Sequence, residues 1–146
     1  MLKKTITYED YDGVNRTETF YFNLSEAELT ELELTHPGGF GDYVQRIVDA
    51  KDQGEIIRLF KKIIQLSYGV KSEDGRRFMK SEELSREFME TEAYNKLFME
   101  LATDDIKGAE FVNGVMPRSL MEQVESQSSN DLMERTQKRI EEKKQG

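Results

Sequence analysis

His36 is the one histidine in a 146-residue chain that has no cysteine. A zinc site asks for several His, Cys or carboxylate ligands at set spacings, and a nucleophilic triad asks for a base oriented by a third group. His36 stands instead beside Pro37 and Gly38, where turn chemistry accounts for it. Gly38-Gly39-Phe40-Gly41 has the glycines of a phosphate cradle but lacks the Lys-Ser/Thr that follows them, and Asp42 repels a phosphate. Asp10-Tyr11-Asp12-Gly13 opens like a calcium loop, but Val14 breaks the required alternation. Glu82-Glu83 and Asp104-Asp105 read as solvated or helix-start charges. No catalytic, metal-ligating or cofactor-binding residue is expected, so function must come from surfaces rather than from a reaction centre.

One pattern is less ordinary. Phe-Met recurs at Phe78-Met79, Phe88-Met89 and Phe98-Met99, at an even spacing of ten. At ~3.6 residues per turn, ten positions do not return to one helix face, so this is not a single stripe. Core packing is the simpler reading. The alternative is a surface for an apolar partner, to which methionine adapts easily.

Composition sets bounds on partners. The net charge is −8, and the absence of cysteine rules out a disulfide framework and fits a reducing compartment. Residues Pro117–Gly146 hold six basic and six acidic residues, so the whole imbalance lies in Met1–Met116. An acidic body repels phosphate, which disfavours nucleic acid and anionic lipid as partners. No N-terminal apolar run suits a signal peptide, and no stretch suits a membrane span. The chain reads as cytosolic.

The element positioned to hold the rest together is Glu55–Tyr68, EIIRLFKKIIQLSY. Ile56, Ile57, Leu59, Phe60, Ile63, Ile64 and Leu66 predict a helix with a broad apolar face, leaving Arg58, Lys61, Lys62 and Gln65 for the polar remainder. Asp52 and Glu55 form a capping-box pattern, and Gly69 suits the position after a helix end. Before it, Leu2–Tyr8 and Arg16–Leu24 alternate around the Asp10–Gly13 turn and predict a β-hairpin. Ser25 and Glu28 predict a capped helix over Glu26–Leu34 with Leu29 and Leu32 inward. Asp42 opens a further helix with Tyr43, Val44, Ile47 and Val48 on its face. After the central helix, a tight turn or small hairpin is expected around Asp74-Gly75. Ser81 caps a helix bearing Leu84 and Phe88, and Thr91 starts a second with Tyr94, Leu97, Phe98 and Leu101. Thr103 or Asp104 caps a last short helix with Ile106, Ala109, Phe111 and Val112, closed by Asn113-Gly114. Beyond Pro117 the chain has no aromatic residue and is rich in Gln, Ser, Glu and Lys, which predicts disorder or a loose helix. The expected fold is mainly α: a helical bundle with an N-terminal β-hairpin, residues 1–116 forming the body and 117–146 a polar, flexible C-terminal tail.

Three strings carry a family resemblance: KKTITYEDYDGVNRTETFYFNLSEAELTELEL, then GGFGDYVQRIVDAKDQGEIIRLFKKIIQLSYGVKSEDGRRFMKSEEL, then TEAYNKLFMELATDDIKGAEFVNGVMP. Together they resemble the tail assembly chaperones of long-tailed, siphovirus-like bacteriophages, most closely those of phages with Gram-positive hosts. The resemblance spans Met1–Pro117. It implies a small, mostly helical protein in the cytoplasm of the infected bacterial host. Such a protein binds the tape measure protein, keeps it soluble, and helps recruit tail tube protein, in some cases through a frameshifted longer form. It also implies self-association into a homo-oligomer and absence from the finished virion. It brings no catalytic residue to carry over. Two other roles stay open: a structural tail-completion component of the virion, and an acidic regulator of a nucleic-acid-binding partner. On the chaperone reading, the residues expected to meet the client are the exposed members of Tyr43, Ile47, Phe88, Met89 and Met99, on helices flanking the central one.

Overall fold

The computed structural model describes residues 1–35, 38, 39, 42, 45, 46, 49 and 52–117. The chain divides into two units, Met1–Met116 and Pro117–Gly146. The expectations for the segment beyond Pro117 fall outside the described residues. So do those for Tyr43, Val44, Ile47 and Val48; the described residues among them, Asp42, Gln45, Arg46 and Asp49, are helical.

The first unit opens with the expected hairpin. β1 (Leu2–Glu9) pairs antiparallel with β2 (Asn15–Phe22), in the register Leu2↔Phe22 to Glu9↔Asn15. Alternation decides the two faces. Ile6, Tyr8 and Phe22 are buried, whereas Thr5, Thr7, Thr17 and Thr19 lie on the solvent side, with hydroxyl contacts Thr5–Thr19 and Thr7–Thr17 both at 3.0 Å. The Asp10 carboxylate builds the turn. It accepts from the amides of Asp12 and Val14, each at 2.9 Å, and from Arg16 Nε at 2.6 Å. The Arg16 guanidinium, then the Val14 amide, holds the Asp10 carboxyl below its ordinary range.

The hairpin is not an appendage to a bundle. Two further strands, β3 (Tyr68–Lys71) and β4 (Phe78–Met79), complete a four-stranded antiparallel sheet in the order β1-β2-β3-β4. A hairpin alone is marginal, and the extra strands with helices against the buried face give a two-layer α+β body. This corrects the expected helical bundle. β3 joins β2 only through Tyr21↔Gly69 and Phe22↔Tyr68. It then joins β4 through Val70↔Met79 and Lys71↔Phe78, across the Asp74-Gly75 turn. That turn is held by Asp74, whose carboxylate accepts from Ser72 Oγ at 2.7 Å and Arg76 N at 3.0 Å.

Among the described residues, five helices with defined bounds follow the capping signals. α1 (Glu26–Thr35) starts with a reciprocal box: Ser25 N donates to Glu28 Oε1 and Glu28 N donates to Ser25 Oγ, both at 3.1 Å. α2 (Gln53–Ser67) is the expected central helix, with Leu59, Ile63, Ile64 and Ser67 buried. Its apolar face is narrower than the sequence suggested, since Ile57 is 40 % exposed. α3 (Glu82–Met89) is capped by Ser81 and α4 (Glu92–Thr103) by Thr91, so the two are separate helices. α5 (Asp105–Val115) is capped by Asp104, whose carboxylate accepts from the Ile106 and Lys107 amides at 3.0 and 3.2 Å.

Two local expectations are corrected. Gly69 does not terminate α2; Tyr68 does, in extended conformation, and Gly69 lies in β3. A Cβ on Gly69 would stand 2.5 Å from the Phe78 ring and 2.9 Å from the Met79 carbonyl, so the glycine is needed for close approach. α5 turns Gly108, Phe111 and Val115 inward, leaving Ile106 72 % exposed and Ala109 outside. Phe60 lies where a Cβ on Gly108 would project, 2.8 Å away, so the side chain that glycine lacks is what allows α5 close to α2. The helix also runs through Asn113-Gly114 to Val115 instead of closing there.

The core sits between sheet and helices around Phe22, Leu24, Ile63, Ile64, Leu97, Leu101 and Val115, each at most 1 % exposed. Backbone bonds tie the end of the hairpin to two helix ends: Asn23 N to the Ser67 carbonyl at 2.8 Å, and Leu24 N to the Val115 carbonyl at 2.9 Å.

Candidate functional site

The β3–β4 connection fixes how α3 meets α2. It reverses the chain within a few residues after Ser67, so the start of α3 returns to the last turn of α2. There the buried Ser85 hydroxyl donates to the Gln65 carbonyl at 3.0 Å. Two adjoining hollows form around this junction and share Gln65 and Glu82 as lining residues.

The first hollow has a volume of about 520 Å³. One wall is the α2 face Arg58, Lys61, Lys62 and Gln65, at the three- and four-residue spacing that brings side chains onto one stripe. Leu66 and the methylene stems of these cations give it apolar surface beneath a charged rim. Lys80, Glu28 and Glu82 stand in its lining too. Lys80 Nζ reaches both Glu28 oxygens, at 2.8 and 2.7 Å, and also the Asn23 carbonyl. Partial burial pushes the Glu28 carboxyl up, but the Lys80 ammonium and the Ser25 contacts together outweigh it and hold the group below its usual range. The second hollow, about 860 Å³, is lined by Gln65 of α2, Met89, and Glu82, Glu83, Arg86 and Glu90. One hollow thus has four cations against two carboxylates, and its neighbour has three carboxylates against one guanidinium. Lys61, Lys62, Glu82 and Glu83 form no ion pair among the described residues.

The sequence-predicted surface residues fare unequally. Tyr43 and Ile47 lie outside the described residues. Phe88 is 3 % exposed and cannot meet a partner. It stacks on Tyr68 with centroids 4.4 Å apart and planes 13° from parallel, and touches the rings of Phe20, Phe22 and Tyr94. The reason is the turn of α3: Ser85 and Phe88 share its inner face, and the next residue swings out. Met89 is therefore half-buried at the hollow, and Met99, 55 % exposed, stands on the outer face of α4. No described contact joins Met89 to Met99. The residues that sequence reasoning passed over are Arg58, Lys61 and Lys62, which it left as the solvated remainder of α2. Their signal was present as three cations on one helix stripe in an acidic body.

Among the described residues, no cluster of His, Cys, Asp and Glu could hold a metal ion, and no buried side-chain polar atom lacks a partner. Among them no helix is long and apolar enough to cross a membrane. A family model described as phage tail assembly chaperone matches residues 1–145. The chain belongs to the phage tail assembly chaperone family. No curated protein and no solved structure matches it. The family match covers residues 1–145, so the paired hollows of this chaperone lie within it.

Proposed function

We propose that this chaperone binds the tape measure protein during tail morphogenesis, keeps it soluble, and helps bring tail tube subunits to it. The role is non-enzymatic and is carried out in the cytoplasm of the infected bacterial host, for a long-tailed phage with a Gram-positive host. The membership in the tail assembly chaperone family carries this reading. The surface agrees with it: a helical client with an apolar stripe needs a concave, partly apolar acceptor, and the hollows beside α2 and α3 have that form. At ~25 cal/mol per Å² of apolar area, a patch of a few hundred Å² contributes several kcal/mol before ordering costs, enough for reversible holding. The net charge of −8 keeps a loaded complex soluble. Self-association, and tube-protein recruitment through a longer frameshifted form, belong to the same reading.

The test is co-expression of the tape measure protein from the same phage with and without the chaperone. Soluble tape measure protein that co-purifies with the chaperone is the expected result. A tape measure protein equally insoluble in both cultures would sink the proposal.

A further inference from the structure

At the paired hollows charges of opposite sign adjoin, and although Lys80–Glu28 and Arg86–Glu90 are paired there, Lys61, Lys62, Glu82 and Glu83 form no ion pair among the described residues. Lys61 and Lys62 project from one stripe of α2, while Glu82 and Glu83 occupy the first turn of α3. The dipole of α3 accounts for two acids at its start, and beside them Lys61 and Lys62 stand exposed with no ion pair among the described residues. Leu66 and Met89 give the two hollows apolar lining. The shape favours a convex guest, and an α-helix about 10 Å across meets that need. A second copy related by a two-fold axis would also bring plus to minus. Two concave patches placed face to face, however, share little area.

We propose, resting on the tape measure reading above, that the two hollows together receive one amphipathic helix of the client, and that their charge separation sets its direction. Its apolar stripe lies over Leu66 and Met89. Its acidic end lies over Lys61 and Lys62, and its basic end over Glu82 and Glu83. Because the hollows adjoin rather than face one another, the client's charges must separate along its length. The same helix laid the other way round brings like charges together, which costs encounter rate and affinity.

The absence of cysteine in the chain makes the direction measurable. The probe is a synthetic amphipathic peptide of about 18 residues, long enough for both hollows at ~1.5 Å per residue, with glutamates in one half, lysines in the other and one terminal cysteine. In the full chain, Arg58→Cys marks the cationic hollow and Glu90→Cys the anionic one. Peptide carrying its cysteine at the glutamate end, activated as a mixed aromatic disulfide whose thiol leaves on exchange, should crosslink to the Arg58→Cys protein in preference to the Glu90→Cys protein, and the opposite label should reverse that preference. Lys61→Glu with Lys62→Glu should weaken peptide binding at least about tenfold and make it less sensitive to salt. Circular dichroism confirms that each variant is folded. Equal crosslinking at both positions overturns the proposal. So does unchanged affinity of the reversal variant, or a reversal that alters only sedimentation, which would make a second copy the occupant. Co-purification separates the two ideas. If the unaltered chaperone and the reversal variant hold the tape measure protein equally, the surface is wrong while the function stands. If neither holds it but the peptide still binds directionally, the function reading fails and the helix site stands.

Discussion

The Ser85 hydroxyl donates to the Gln65 carbonyl at 3.0 Å, fastening the inner face of α3 to the last turn of α2. Gln65 is also one of the two residues that both hollows share, so this bond sets the angle at which their walls meet. Ser85→Ala removes the donor and leaves a helix-end carbonyl with one partner fewer. The expected cost is about 1 kcal/mol, read as a lower midpoint in urea with an unchanged slope. An unaltered midpoint would mean that the bond does not hold the junction.

Phe88 and Met89 are neighbours in sequence with opposite roles. Phe88→Ala should destabilise the body by about 3–5 kcal/mol, because it empties the centre of the cluster formed with Phe20, Phe22, Tyr68 and Tyr94. Met89→Asp should leave the fold largely intact and lose tape measure solubility in co-expression. Met99→Asp, on the outer face of α4, should also stay folded, and its effect on solubility shows whether the client reaches beyond the hollows. If Met89→Asp proves as unstable as Phe88→Ala, Met89 is a core residue and the hollow loses its apolar contact.

Gly69→Ala sets a small residue against a backbone. The new methyl would stand 2.9 Å from the Met79 carbonyl and closer still to the Phe78 ring. The β3–β4 pairing must shift, at a cost of about 1–3 kcal/mol. Heteronuclear NMR should show the largest amide shifts at Val70, Phe78 and Met79. Shifts confined to the substituted residue would count against a close approach there.

The Glu28–Lys80 pair gives a pH dependence of definite sign. The folded-state carboxyl of Glu28 is held below its ordinary value. Its stabilisation is therefore full above the unfolded carboxylate range and is lost as pH falls through the lower folded value. Glu28→Gln keeps a side chain that can still reach the Ser25 amide but removes the charge. With Glu28 38 % exposed, screening limits the expected loss at neutral pH to below about 1 kcal/mol. The acid limb of the stability curve should flatten in the variant. Parallel curves for variant and parent would rule out this linkage.

β1 lies at the outside of the sheet with eight residues and, among the described residues, no strand beyond it. Such an edge can pair with a second copy, which supports the proposed self-association. Sedimentation should show oligomers that grow with concentration, and Thr5→Pro should reduce them. A strict monomer at high micromolar concentration would refute this.

Local chemistry made most elements of this chaperone legible in its sequence. Ser25, Asp52, Ser81, Thr91 and Asp104 marked helix starts, and alternation around Asp10–Gly13 marked the hairpin, because caps and turns act over a few neighbouring residues. The family resemblance was legible too, since it rests on whole strings of residues. Tertiary structure decided what spacing alone leaves degenerate. The two-residue β4 is too short to carry a pattern of its own and exists only because β3 pairs with it. Phe88 and Met89 are equally apolar on paper, and only the docking of Ser85 on Gln65 turns one inward and leaves the other at a hollow. Ile106 is more hydrophobic than Gly108, yet α5 buries the glycine, because close packing against Phe60 rewards absent volume over hydrophobicity. The hollows themselves join residues from α1, α2 and α3 with Lys80 between β4 and α3, and charge that looked like ordinary solvation in sequence becomes a bipolar surface only where the chain brings Lys61 and Glu82 to one place.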